Sequence, residues 1–178
     1  MTSALVYIGT SLDGYIARTD GDFGWLMKYA DVHAVEAYNE FMATIDVIVI
    51  GRGTFDTVLG FPSWPYDKPV YVLTRSLKEL PDAVEDKANV LAMEPSKVLE
   101  RLSDEGFKAA YVDGGKVIQS FLAEDLIDNL IIAKVPVLIG SGLPLFGYLE
   151  VDLAFDHVRT QTYANGLVRS YYRRKRDL

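Results

Sequence analysis

Three stretches of this sequence set phosphate-friendly residues directly behind a short apolar run: Gly51-Arg52-Gly53-Thr54, Thr74-Arg75-Ser76 and Asp113-Gly114-Gly115-Lys116. In the first, glycines let the backbone approach a ligand closely, Thr54 can cap a helix, and a helix start with an arginine beside it suits phosphate. The second offers two hydroxyls and a fixed cation, a set matched to a phosphate monoester. In the third, two glycines permit the close approach that a pyrophosphate requires. Singly, a glycine after a strand is most often a turn and a lone arginine most often lies on the surface. Three such junctions on one sheet can converge on a single extended ligand with several phosphates, such as a dinucleotide.

Competing chemistries fail on the residues. Asp56 stands where the dinucleotide fingerprint needs its third small residue, and Val117 follows Lys116 where a P-loop needs Ser or Thr. The absence of cysteine removes disulfides, thiolate catalysis and thiolate-rich zinc sites. His33 and His157 are the only histidines and lie far apart in sequence, so no metal site is expected.

The elements that must position these junctions are legible as short runs rich in Val and Ile, bounded by Gly, Pro or Asp. They are Ala4–Ile8, Val47–Ile50, Val70–Leu73, Ala109–Val112 and Leu130–Val137. Their lack of alternation predicts strands buried on both faces, and helices are expected between them over His33–Ala43, Thr54–Leu59, Pro95–Glu105 and Lys116–Ala123. Asn165-Gly166 separates two further runs, Val151–Tyr163 and Leu167–Tyr172, and signals a terminal hairpin. The expected fold is therefore α/β: a mixed, mostly parallel sheet with helices on both faces and antiparallel strands at an edge. Phe61-Pro62-Ser63-Trp64-Pro65 reads as a rigid loop.

With 178 residues, 49% of them hydrophobic, the chain is expected to form a single domain around one substantial core. A formal charge of -7 disfavours nucleic acid, whose binding depends on cations that neutralise phosphates. The one exception is the tail Tyr171-Tyr172-Arg173-Arg174-Lys175-Arg176, where basic residues cluster and which reads as a solvated terminus. No apolar stretch approaches the length of a membrane span and the N-terminus lacks a secretory pattern, so a cytoplasmic protein without a membrane partner is expected. The hairpin and the apolar segment Val137–Phe146 suggest a two-fold interface, hence a homodimer.

Five motifs in order carry a family resemblance. They are Ser11-Leu12-Asp13-Gly14-Tyr15-Ile16-Ala17, Gly51-Arg52-Gly53-Thr54-Phe55, Val72-Leu73-Thr74-Arg75, Asp113 to Leu122, and Pro136 to Gly142 with Leu145-Phe146. Together they resemble the dihydrofolate-reductase-like superfamily, closest to the reductase domain of the bifunctional riboflavin-biosynthesis deaminase-reductase, and the match covers almost the whole chain. The resemblance implies a three-layer fold and NADPH as cofactor. Gly51, Arg52, Gly53, Thr54, Leu73, Thr74 and Arg75 would hold its phosphates, with Thr74 and Arg75 favouring the 2'-phosphate. Gly114, Gly115, Lys116 and Val117 would face the pyrophosphate, and Ile16 with Ala17 would border the nicotinamide.

It further implies hydride transfer to a small heterocyclic substrate, pyrimidine or pteridine-like. Asp13 and Glu36 are the candidates for the proton step or for anchoring the heterocycle, and Trp25 is a candidate substrate contact. Asp56 to Pro62 departs from the Asp-Asp-Pro continuation of riboflavin-type reductases, and the helix around Glu36 lacks the Leu-Pro lead-in of folate reductases. The alternative reading is a protein that binds NADPH without turnover and senses cofactor level.

Overall fold

The computed structural model describes residues 1–176. In chain order its elements are β1 (Ser3–Thr10), β2 (Tyr15–Ala17), α1 (Gly24–Met27), α2 (Val32–Ala43), β3 (Val47–Gly51) and α3 (Arg52–Leu59). There follow β4 (Val70–Leu73), β5 (Ala88–Leu91), α4 (Pro95–Asp104), β6 (Ala109–Asp113) and α5 (Gly115–Ala123). The chain closes with β7 (Ile127–Lys134), β8 (Leu143–Pro144), β9 (Phe155–Thr162) and β10 (Val168–Arg174). Eight strands form one sheet in the order β5-β4-β3-β6-β1-β7-β10-β9, while β2 and β8 make a small separate ribbon.

From β5 across to β7 every pairing is parallel, and β10 runs antiparallel between β7 and β9. This is the mixed, mostly parallel sheet with a terminal antiparallel hairpin that the sequence predicts. The sheet is buried on both faces because its central strands alternate between two cores. Val47 and Val49 of β3 join Val98, Leu99 and Leu102 of α4 and Val117, Ile118 and Phe121 of α5. Ile48 and Ile50, on the opposite face, join Phe41 of α2 and Phe55 of α3. Strands clothed on both sides need no polar face, which is why they read as continuous apolar runs.

Several boundaries differ from expectation. β5 was not foreseen, since Ala-Asn-Val-Leu at the sheet edge has too few apolar residues to stand out. β7 begins at Ile127 and stops at Lys134, because pairing with β1 carries Asp128 and Asn129 into the strand and Pro136 lies beyond its end. β9 starts at Phe155, leaving 151–154 outside the hairpin. Helix α3 begins at Arg52 with Gly51 as its cap residue, so Thr54 lies inside the first turn and does not cap it.

The basic tail is not a free solvated end over its described residues. Arg174, with 8% of its side chain exposed, pairs with Asp125 at 2.6 Å, and Arg176 pairs with Asp128 at 2.6 Å. Asp177 and Leu178 lie outside the described residues.

Phe121 is fully enclosed where α5 meets the sheet that aims its first turn. Phe121→Ala is expected to cost about 3–5 kcal/mol, read as a lower urea midpoint at unchanged slope.

Candidate functional site

Strand β3 lies between β4 and β6, with Gly51 level with Leu73 and Ile50 level with Asp113. All three strands run the same way, so the three glycine- or hydroxyl-bearing junctions leave the sheet at one edge. Two interstrand spacings, about 10 Å in all, separate the outer pair. None of α3, α4 and α5, which start from this edge, has a side-chain cap on its first turn, whereas α2 is capped by its own Asp31. In α5 the Ile118 N–H bonds the Gly114 carbonyl, and the amides ahead of it are the helix's unsatisfied donors. Uncapped helix starts side by side present N–H groups and positive dipole ends to an anion.

Contacts between junctions hold the corners together. Gly114 adopts φ +101°, and a Cβ there would meet Thr54 Oγ1 at 2.6 Å. A Cβ on Gly51 would come within 2.8 Å of Val117, and one on Gly115 within 2.9 Å of Ile16. The structure thus gathers Ile16, Gly51, Thr54, Gly114, Gly115 and Val117. Ala17 stands beside Ile16 on β2, where its carbonyl packs so tightly on Gly142 that no side chain fits between them. Gly53 faces open space.

At the β4 end a cavity of about 280 Å³ opens between Leu73, Thr74 and Arg75 on one side and Met93, Glu94 and Ser120 on the other. Thr74 Oγ1 and Ser76 Oγ lie 3.1 Å apart. The cations at these corners already have partners: Arg75 pairs with Glu94, and Arg52 with Asp56 of the next helical turn at 2.7 Å. Lys116 is exposed.

The two carboxylates expected to serve the proton step differ in their surroundings. Glu36 is 65% exposed on the outer face of α2, 3.6 Å from His33, while Tyr38 and Phe41 of that helix face the sheet. Asp13 is a clasp. It accepts from Ser11 Oγ at 2.6 Å and from the Gly140 amide at 2.8 Å, tying the turn after β1 to the one before β8. The Ser11 hydroxyl, aided by the backbone amides of Gly140 and Ile139, holds its carboxyl below the usual range, so it stays ionised and makes a poor proton donor. Trp25 is buried, and its indole N–H lacks an acceptor.

The residue that sequence reasoning passed over is Asp113. It ends β6 one position before the Gly114 corner, its Oδ1 accepts the Gly114 amide at 2.8 Å, and Tyr38, Tyr66 and Tyr111 surround it. Burial pushes its carboxyl up to about 6, against lowering bonds from Gly114 and Tyr111. A little of its surface stays open. The signal was present in the sequence, since Asp113 closes a strand that otherwise reads Ala-Ala-Tyr-Val. In the Asp113-Gly114-Gly115-Lys116 stretch it is the two glycines that carry the phosphate reading, which gives the carboxyl no part.

Residues 4–169 match the RibD C-terminal domain. The chain belongs to that family. Among solved structures, it is similar to a Shewanella sp. PV-4 protein provisionally named for riboflavin biosynthesis. That likeness has 39% identity and a TM-score of 0.91, covering 98% of this chain and 100% of that one. It also resembles the Thermotoga maritima diaminohydroxyphosphoribosylaminopyrimidine deaminase/5-amino-6-(5-phosphoribosylamino)uracil reductase. There the identity is 17% and the TM-score 0.76, over 98% of this chain and 57% of that longer one. Enterococcus faecalis dihydrofolate reductase, solved with NADP(H), matches at 15% identity and TM-score 0.71 over 97% of this chain and 96% of its own. This RibD-type domain thus has the dihydrofolate-reductase-like fold. No helix among the described residues is long and apolar enough to cross a membrane.

The raised Asp113 carboxyl has a thermodynamic consequence. A group that binds its proton more tightly when folded favours the folded state below its unfolded pKa of about 4. That contribution disappears as pH rises through about 6. Between acidic and neutral pH the parent should therefore lose on the order of 2 kcal/mol relative to Asp113→Asn, measured by urea unfolding at both pH values. Parallel curves would show an unperturbed carboxyl.

Proposed function

We propose that this chain is an NADPH-dependent reductase that passes a hydride to a small heterocyclic substrate. The reaction is of the kind named for 5-amino-6-(5-phosphoribosylamino)uracil reductase or dihydrofolate reductase. The observation that carries this reading is the single edge on which the three junctions, two of them uncapped helix starts, gather beside one largely enclosed carboxyl, Asp113. Family membership and the likeness to reductases of this fold support it.

The residues present fit such a cofactor. The amides that open α3 and α5, with the Thr54 hydroxyl, suit its pyrophosphate. The cavity beside Thr74 and Arg75 suits the adenosine end, where Thr74, Ser76 and Arg75 offer donors to a 2'-phosphate. Ile16 and Ala17 would border its nicotinamide end. When bound, the cofactor supplies the hydride.

Reduction also consumes one proton. Asp113 holds a proton at pH values below about 6, can donate it from its carboxyl to the substrate, and regains it from solvent. The surrounding tyrosines keep their own protons, since burial raises Tyr38 to about 12 and moves Tyr66 and Tyr111 upward as well. Tyr38 and Tyr111 also form part of an aromatic cluster with Tyr7 and Phe41 on that face of the sheet.

The proposal extends to a cytoplasmic homodimer. β9 is an edge strand with nearly every residue exposed, and Phe146, Tyr148 and Val151 are exposed nearby in sequence. Light scattering on the purified chain tests the assembly.

NADPH should bind with quenching of tryptophan fluorescence. Arg75→Ala should weaken NADPH about tenfold, roughly one charge-assisted contact, with little effect on NADH. Glu94→Gln, which frees Arg75, should tighten NADPH. Failure of NADPH to bind the parent ends this reading. With a reducible heterocycle in hand, single-turnover rates should fall as pH rises above about 6, and Asp113→Asn should lose about a hundredfold or more together with that pH dependence.

A further inference from the structure

Among the described residues Arg169 is the largest fully enclosed side chain, with 1% of its surface exposed. It lies on β10 opposite Ala133 of β7, which is in turn level with Gly9 of β1. Paired residues share a face, so Arg169, Ala133 and Gly9 form one row on the side of the sheet that carries Tyr7 and Trp25. Its Nη1 donates to the Tyr163 hydroxyl, but Nε and Nη2 have no partner. None of the ion pairs among the described residues includes it.

Its charge therefore has no carboxylate against it, and its polar neighbours are the Tyr163 and Tyr7 hydroxyls. The Tyr163 and Tyr7 rings lie 4.8 and 5.7 Å from its Cζ. Ring faces offset only part of the penalty for removing a guanidinium from water. The two idle nitrogens lie along one edge of the guanidinium, the edge that meets both oxygens of a carboxylate side-on. A second donor waits close by: the Trp25 indole N–H is also buried without an acceptor, in the cluster that holds Ala133, Leu167 and Tyr163. Both groups are donors only, so what they lack is an acceptor.

The row in front of them has a floor of small residues, Gly9 and Ala133, and the Leu26 side chain occupies the place above Gly9, 2.5 Å from where a Cβ would stand. Leu26 comes from α1, a single short turn that contributes no strand to the sheet, so a ligand seated over Gly9 must displace it. Asp113 lies on the same face of the sheet. The strand order β6-β1-β7-β10 sets it three interstrand spacings from Arg169, about 14 Å measured across the strands.

We propose that Arg169 and the Trp25 indole receive a carboxylate carried by the substrate. The reductase then acts on a heterocyclic carboxylic acid seated over Gly9 and Ala133, with its acid group toward Arg169 and its reducible bond toward Asp113. The orientation rests on the reductase reading above, whereas the carboxylate receptor stands by itself. One cation with two parallel donors matches a planar monoanion. A phosphate dianion would leave a charge uncompensated.

The test is thermal unfolding of the whole chain, with and without NADPH, against benzoate, nicotinate and orotate. The controls are benzamide, nicotinamide and uracil as uncharged counterparts, and inorganic phosphate. The acids should raise the melting temperature at concentrations where the neutral compounds and phosphate do nothing. Arg169→Met should melt at or above the parent temperature, because an apolar side chain of similar length removes an unpaired buried charge, and should lose the response to acids. Arg169→Lys keeps the charge without the fork and should bind benzoate at least tenfold more weakly; it decides the matter if Arg169→Met does not fold.

Equal shifts from acids and neutral counterparts, a larger shift from phosphate, or an undiminished benzoate response in the Lys variant would each overturn the proposal. NADPH fluorescence in the same samples separates the two readings. Loss of cofactor binding removes the reductase assignment and leaves the carboxylate response to judge Arg169.

Discussion

The hydrogen-bond register of β3 against β4 and β6 is the constraint on which the rest depends. Because Gly51 stands level with Leu73 and Ile50 with Asp113, three chain reversals occur at one height along the sheet. A slip of two residues in either ladder would move one corner by about 7 Å along its strand, too far to share a ligand with its neighbours. The register is held by side chains on both faces at once, Val47 and Val49 in one core, Ile48 and Ile50 in the other. Core packing and ligand geometry are thus one requirement imposed on the same five residues.

On that frame the unusual features are electrostatic. The α3 and α5 helix starts go uncapped, a carboxyl is enclosed by tyrosines, and an arginine is enclosed without a counter-charge. Each is unfavourable alone. They occupy one end of one sheet, where a ligand with anionic and hydrogen-bonding groups relieves them together. Elsewhere the charges are conventionally satisfied, as in the pairs of Arg174 with Asp125 and Arg101 with Glu105.

Much of this was legible in the sequence. The core strands announce themselves as apolar runs because both faces are covered, and the three junctions stand out because glycine, threonine and arginine follow those runs directly. What escaped notice depends on non-local pairing. β5 becomes a strand only because β4 offers it an edge, and the β2–β8 ribbon joins segments more than 120 residues apart. Asp113 stands in the sequence as the first residue of a glycine junction, and its surroundings of Tyr38, Tyr66 and Tyr111 come from three separate segments. Arg169 lies within the Leu167–Tyr172 run of the terminal hairpin, and nothing in that run says that its side chain is enclosed beside Tyr163. Glu36 lies on an exposed face of α2, which its position along the helix does not reveal.

Amide hydrogen exchange of the whole chain, followed as NADPH is added, tests the shared cleft most directly. Amides of residues 51–54, 74–76 and 114–117 should slow together, with one saturation curve common to all three segments. Protection confined to one segment, or separate curves for the three, would contradict the claim that they grip a single ligand.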